Sequence, residues 1–308
     1  MRLVRYVPRG DAGGAARIGV LEGEAVRPTA YADLLALIRA GDAAGPLAGP
    51  AADGGAGPAL PLHAVRLLAP LPRPGKILGS GINYASHREE NPAAVFPTAP
   101  GYFSKLPSSV SDPGAPIVLP YPEAQVDYEV ELAVIVGRTA RGVSRAAALD
   151  HVFGYTVVND VSARDVQFRD PRDQWITQGK GLDGFCPMGP AVALAAAIPD
   201  PQALRLRSQV NGERRQDAST AEMLFPVAVL IEAWSRHITL EPGDVLATGT
   251  PAGCGAFRRP PLWLRPGDEV SVEVEGIGRL TNPVVAGWGA PRSARSSLPA
   301  GLSTRIAS

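Results

Sequence analysis

Between positions 126 and 137 the chain reads VDYEVELAVIVG, in which Asp127, Glu129 and Glu131 alternate with Tyr128, Val130 and Leu132. Side chains along a β-strand alternate between faces, so three acids at this spacing share one side of it. The run continues as four apolar residues, 133–136, which argues for an interior strand rather than a wet edge. Like charges packed into a partly buried face cost free energy unless a cation neutralises them. Carboxylate oxygens are hard donors, and no Cys or His stands nearby in sequence. The implied ion is therefore Mg²⁺ or Mn²⁺, with Ca²⁺ also admissible, and not Zn²⁺. Asp160, ending the strand-like stretch FGYTVVND, adds a further carboxylate. Spacing alone does not decide the matter: an E-x-E pair is more often a solvated strand face, and Asp160 ahead of SARDVQ can simply cap a helix.

The elements that must position these acids are mostly strands. Residues 3–7, 17–21 and 25–26 read as strands, followed by a helix with Leu34, Leu35 and Ile38 on one apolar face. Residues 41–61 are rich in Ala, Gly and Pro and carry almost no charge, as a flexible connection does. The chain thus divides into a small α+β unit with its linker (1–64), a larger domain (65–288) and an aperiodic tail (289–308) expected to fray. In the larger domain strands are expected at 65–68, 76–78, 126–137 and 153–160, with a short helix at 83–90 and another capped by Ser144 and running to Val152. Asn211-Gly212 between alternating residues signals a β-hairpin. Pro226 opens a helix whose Val227, Leu230, Ile231 and Trp234 form a core-facing stripe. Two Pro-Gly-Asp turns, at 242–244 and 266–268, bound late strands such as 270–274. Strand and long helix do not alternate regularly, which excludes a doubly wound parallel sheet. The expected fold class is α+β, mainly β, with an antiparallel or mixed sheet core and a few edge helices.

Bulk properties narrow the partners. Thirty basic residues balance thirty acidic ones among 308, so no net positive field holds nucleic acid or an anionic membrane, and a small molecule is the default partner. Cys186 and Cys254 are the two cysteines and form no C-x-x-C pair. The N-terminal stretch has no apolar run of signal-peptide length, and no segment is long enough to span a bilayer. These features lead to an expectation of a soluble, cytoplasmic protein.

Four blocks in order, DYEVELAVIVGR, GYTVVNDVSARDVQ, GKGLDGFCPMGP and ATGTPAGCG, resemble the catalytic domain of the fumarylacetoacetate hydrolase family. The similarity runs from about Lys76 to Val285, and the N-terminal unit resembles the accessory domain of many bacterial members. The resemblance implies a mixed β-sandwich or roll, a homodimer, and a divalent ion on Glu129, Glu131 and Asp160, with Asp127 behind them. Arg164 and Gln167, at i and i+3 of a helix, match positions that bind substrate oxygens. Arg164 could instead pair at the surface with Asp165 or Asp170. Lys180 matches a lysine that polarises a carbonyl or moves a proton beside the ion. The segment GSGINYASHREE resembles the family's lid, which places His87 and Glu90 as a dyad able to take a proton from water. Phe103 and Lys105, in FSKLPSS, match pocket-shaping positions, and Thr250 matches a residue that contacts the substrate carboxylate.

These assignments together imply hydrolytic carbon–carbon cleavage of an acylpyruvate-like β-diketo acid, with the ion and Lys180 stabilising the departing pyruvate enolate. The same residues also suit decarboxylation, tautomerisation or isomerisation, or lyase action on a 2-oxo or 2-hydroxy acid. A non-catalytic binding protein on the same fold is the reading from another class, and the occupation of every matched polar position argues against it.

Overall fold

Alternation along one strand decides the architecture. In Val130–Val136, residues Val130, Leu132, Val134 and Val136 enter one hydrophobic cluster, whereas Ala133 and Ile135 enter another. A strand apolar on both sides belongs between two layers. The computed structural model describes residues 1–11, 13–40, 57–90, 95–170 and 172–287, with the side chain of Glu89 left aside. In it this strand lies inside a twelve-stranded, mostly antiparallel sheet. The strand order from one edge is Leu60–Pro61, Ala25–Pro28, Arg17–Glu22, Arg2–Pro8, Cys186–Leu194, Val152–Asn159, Val130–Val136, Val245–Ala247, Ile77–Ser80 and Tyr102–Lys105. Val65–Leu68 and Val110–Ser111 pair off that path. Arg2–Pro8 bonds to both Arg17–Glu22 and Cys186–Leu194, so the N-terminal strands continue the sheet that carries the acids.

A second sheet, ordered Glu213–Ser219, Arg205–Val210, Glu269–Val274, Gly278–Val285 and Ile117–Val118, contributes Leu206, Val270, Val272 and Leu280 to the first cluster. The helix Val227–Ser235 adds Val227, Leu230, Ile231 and Trp234, all buried as the stripe predicts. Each such side chain contributes about 1.5–3 kcal/mol by leaving water. On the other side, Asp33 caps the helix Leu34–Arg39 through the Ala36 amide at 2.8 Å. That helix contributes Leu34, Leu37 and Ile38 to the cluster that holds Ala133 and Ile135. Leu37 takes the buried position expected for Leu35, which is only partly buried.

The Asn211-Gly212 hairpin forms as read, with both residues in the left-handed region (φ 53° and 78°) that a tight two-residue turn requires. Three local expectations change. The stretch 126–137 is two strands, Val126–Asp127 and Val130–Val136, because side chains replace the sheet ladder between them: Asn159 Oδ1 accepts from Glu129 N and Gln216 Oε1 from Val130 N. No helix starts at Ser144; its carbonyl closes a turn with Ala147 N, and only the 3₁₀ segment Ala148–His151 follows. The helix expected over 83–90 is confined to His87–Glu90, since Asn83 is tied instead to Phe225 and to the Thr248 carbonyl. Most of the Ala/Gly/Pro-rich connection and the tail 289–308 lie outside the described residues.

Candidate active site

Antiparallel register brings the acids together. Val130 stands opposite Asn159, so Glu129 and Glu131 flank the point where the neighbouring strand ends and Asp160 begins the turn. Asp160 N donates to Glu129 O at 2.9 Å, which closes that end. Glu129, Glu131 and Asp160 are all buried, and one oxygen from each lies within 4.8 Å of the others. Glu131 Oε2 accepts from Gly249 N at 2.8 Å. Gly249 has φ +93°, and a Cβ there would lie 2.8 Å from Asn83 Cβ, so glycine is needed for this close approach.

Three buried cations face these acids. Lys180, last in the helix Ile176–Lys180, places Nζ 2.6 Å from Glu129 Oε2 and 2.6 Å from Asp160 Oδ2. Arg164, on the short helix Arg164–Gln167, donates to Asp127 Oδ2 from Nε (3.1 Å) and Nη2 (3.0 Å), to Glu129 Oε1, and to Gln167 Oε1 at 2.9 Å. It is a buried bridge, and neither Asp165 nor Asp170 is its partner: Asp165 bonds Tyr121 and Gln125 N, and Asp170 bonds Arg172. Lys105, expected in the pocket wall, is fully buried behind Asp160 and donates to its Oδ1 at 2.5 Å. Asp127 anchors Arg164 and also accepts from the Gly255 and Ala256 amides.

Burial sets the protonation energetics, and the neighbours redirect it. For Glu129 burial favours the neutral acid, but Arg164 and Lys180 outweigh it and bring the carboxyl down to about 2. Burial pushes Glu131 well above the usual carboxylate range, and the charges of Asp160 and Glu129 push the same way. Burial alone would lower Lys180, yet Asp160 and Glu129 hold it above the ordinary lysine value, so it is an ammonium donor. A dication in place of the proton on Glu131 would relieve the repulsion among the three acids. The donor set, three buried hard oxygens without sulfur or imidazole, fits a hard divalent ion.

Over the acids opens a cavity of about 420 Å³ whose lining includes His87, Glu129, Glu131, Arg164, Gln167, Lys180 and Thr250. Phe103, Phe168, Ile176 and Phe257 supply apolar wall, with Phe103 also 5.3 Å beneath the Lys180 ammonium. His87 Nδ1 lies 3.1 Å from Glu90 Oε2 and Nε2 lies 2.8 Å from the Thr250 carbonyl. The Thr250 hydroxyl is turned inward, donating to Val130 O and accepting from Gln216 Nε2. Gln216 was not singled out by sequence reasoning. It is buried, and it ties the hairpin to the loop that holds His87 through Val130 N, Thr250 and Pro251 O. Nothing local marks it: the strand reads ERRQDAS without apolar alternation, and Gln216 is its one buried residue.

A carboxylate cluster fit for a dication, at the floor of a cavity lined by an ammonium, a guanidinium and an imidazole, has the make-up of an enzyme site. The chain belongs to the fumarylacetoacetate hydrolase family, whose model, described as Fumarylacetoacetate (FAA) hydrolase C-terminal, matches residues 76–285. It is 44% identical over 228 residues to the human oxaloacetate tautomerase FAHD2A, mitochondrial, covering 74% of this chain and 72% of that one. Among solved structures, fumarylacetoacetate hydrolase from psychrophilic Exiguobacterium antarcticum is 40% identical with a TM-score of 0.79, covering 93% of this chain and 99% of the other. Maleylpyruvate hydrolase from Sphingobium sp. SYK-6, in complex with manganese(II) and pyruvate, is 32% identical with a TM-score of 0.76, covering 94% and 100%. Among the described residues no helix is long and apolar enough to cross a membrane.

Proposed function

We propose that this enzyme is a divalent-metal-dependent keto–enol tautomerase of short 2-oxo acids, oxaloacetate being the leading candidate. The observation that carries this reading is the Lys180 ammonium in the cavity wall, 2.6 Å from Glu129 Oε2 and 2.6 Å from Asp160 Oδ2. His87 is held between two protein groups, the Thr250 carbonyl 2.8 Å from Nε2 and the Glu90 carboxylate 3.1 Å from Nδ1. An imidazole engaged at both nitrogens by the protein is less suited to activating water, the step that hydrolysis asks of it, than one with a nitrogen left for the cavity. Lys180, in contrast, lines the cavity beside the acids as a charged proton donor. Similarity to the oxaloacetate tautomerases supports the same reading.

A bound divalent ion would be held by Glu129, Glu131 and Asp160 and would supply Lewis-acid polarisation of the 2-oxo oxygen. Arg164 and Gln167 orient substrate oxygens from one wall, and the apolar rings exclude water. Converting the enol to the keto acid removes a proton from the C2 hydroxyl and adds one at C3. Lys180 can deliver the proton to C3 and recover the one released from oxygen, which leaves it unchanged after each turnover. Proton transfer by a positioned group is worth about 100- to 10,000-fold in rate.

Hydrolysis of an acylpyruvate is the second reading, favoured by the maleylpyruvate hydrolase neighbour and by the placement of His87 on the cavity wall. Both reactions are tested by following the ultraviolet absorbance of enolised oxaloacetate and of a panel of acylpyruvates with Mg²⁺ or Mn²⁺, and by assaying released pyruvate. The expected result is accelerated ketonisation that Lys180→Met and Glu131→Ala abolish and His87→Gln largely spares. Pyruvate release from an acylpyruvate that depends on His87, without accelerated ketonisation, would overturn the tautomerase reading in favour of hydrolysis.

A further inference from the structure

Each of the three acids has one oxygen engaged by a donor anchored elsewhere in the fold, and the second oxygens of Glu129 and Asp160 share the Lys180 ammonium. Glu129 Oε1 accepts from Arg164 Nη2, Glu131 Oε2 from Gly249 N at 2.8 Å, and Asp160 Oδ1 from Lys105 Nζ at 2.5 Å. Lys105 has no exposed surface. Its ammonium has three acceptors: Asp160 Oδ1, the Val161 carbonyl at 3.4 Å and the Lys180 carbonyl. These come from two separate segments, the turn after Val152–Asn159 and the last residue of the helix Ile176–Lys180. A single side chain therefore fixes both an acid and the backbone from which Lys180 projects.

We propose that Lys105 is a positioning residue that restricts Asp160 to one metal-binding oxygen and thereby biases the site toward Mg²⁺ or Mn²⁺ and against Ca²⁺. An ammonium resting on one carboxylate oxygen repels a dication from that atom, and the Arg164 guanidinium does the same at Glu129. On the other pair, Asp160 Oδ2 and Glu129 Oε2, sits Lys180 Nζ; its side chain lines the cavity, so an entering dication would displace it, whereas Lys105 and Arg164 are held in place by further acceptors. With Glu131 held through Oε2, the protein offers three oxygens and not six. Ca²⁺ takes six to eight oxygens and gains from carboxylates that give two each, whereas Mg²⁺ keeps to an octahedron and retains several waters. Three protein oxygens leave half of an octahedron for water and substrate, and leave Ca²⁺ underfilled. This inference rests on the acids' being dication ligands, and it needs no assumption about the reaction.

The test uses full-length protein stripped of metal by chelator and titrated with Mn²⁺, free Mn²⁺ being read by electron paramagnetic resonance, with Ca²⁺ as competitor and no substrate. Loss of the ammonium changes the attraction for every dication alike, so the ratio of Mn²⁺ to Ca²⁺ affinity isolates the number of oxygens offered. Lys105→Met is expected to lower that ratio by about 10-fold, within the range seen when residues that orient metal ligands are lost. Lys105→Gln, which keeps one N–H for Asp160, is expected to restore most of it. X-ray absorption at the manganese edge of the wild type gives a readout that needs no variant to fold. It should show six oxygens and no short metal–carbon distance of the kind a two-oxygen carboxylate produces. An unchanged ratio in a folded Lys105→Met protein, or a two-oxygen carboxylate in the wild type, would overturn the role of Lys105 alone. Failure of the wild type to bind Mn²⁺ at all would overturn the dication site together with it.

Discussion

Replacing Arg164 with Met strips the guanidinium from between two buried carboxylates. Arg164 is 4% exposed, and its five-donor fork reaches Asp127, Glu129 and Gln167 together. Methionine fills much of the volume but leaves both anions short of a partner, and removing one member of a buried ion pair costs about 3–5 kcal/mol. At about 2–4 °C per kcal/mol for a domain of this size, the melting temperature should fall by about 6–20 °C. Urea unfolding of metal-stripped protein measures the loss directly, with an unchanged slope showing that the denatured state is the same. Adding Asp127→Asn should recover at least about 1 kcal/mol, because one of the orphaned charges then disappears, and a double-mutant cycle reads that coupling. A surface ion pair with Asp165 or Asp170 would have cost only about 0–1 kcal/mol. A loss below about 1 kcal/mol, or strict additivity of the two substitutions, would refute the buried bridge.

Proton linkage at Glu131 gives a second prediction. Its raised carboxyl carries a proton until a dication displaces it, so Mn²⁺ binding should release a proton, visible in calorimetry as a dependence on buffer ionisation heat, and apparent affinity should fall as pH falls. The sign for stability is opposite: a carboxyl whose folded value is raised contributes stability that is full below the ordinary 4.5 and is lost as pH rises through the raised value. Metal-stripped protein should thus lose melting temperature across that window, and saturating Mn²⁺ should flatten the loss. Gln216→Leu should cost about 1–3 kcal/mol for each buried group left unpaired, chiefly Val130 N and Pro251 O. It should also raise KM more than it lowers kcat, because the loop carrying Thr250 loosens while Lys180 keeps its partners.

Much of the fold was legible because its signals are local. Alternation of apolar residues marked the strands, Asn211-Gly212 marked the hairpin, and the 3.6-residue stripe from Val227 to Trp234 marked the helix. Each depends on a residue's own geometry and its nearest neighbours in the chain. Where local signals misled, distant partners had taken the backbone groups: the Asn159 and Gln216 side chains bond Glu129 N and Val130 N, and Leu224 N holds Asn83 O, which a longer helix would have used. The three acids were readable as residue types at strand spacing, and the order of the four blocks singled them out from ordinary surface acids.

Sequence by itself determined which oxygens and which cations this protein possesses. It could not say which cation meets which oxygen. Lys105 read as part of the pocket wall and stands behind Asp160; Arg164 read as a substrate ligand, with a surface ion pair as the alternative, and is a buried bridge between Asp127 and Glu129 that also lines the cavity. His87 read as paired with Glu90, and only the structure sets its other nitrogen against the Thr250 carbonyl. Apart from His87 with Glu90, three positions on, these pairings span 35 to 163 positions along the chain. Only the closing of the sheet brings the partners within hydrogen-bonding reach, and burial then makes each pairing obligatory, because an unmatched charge inside the protein costs far more than one in water.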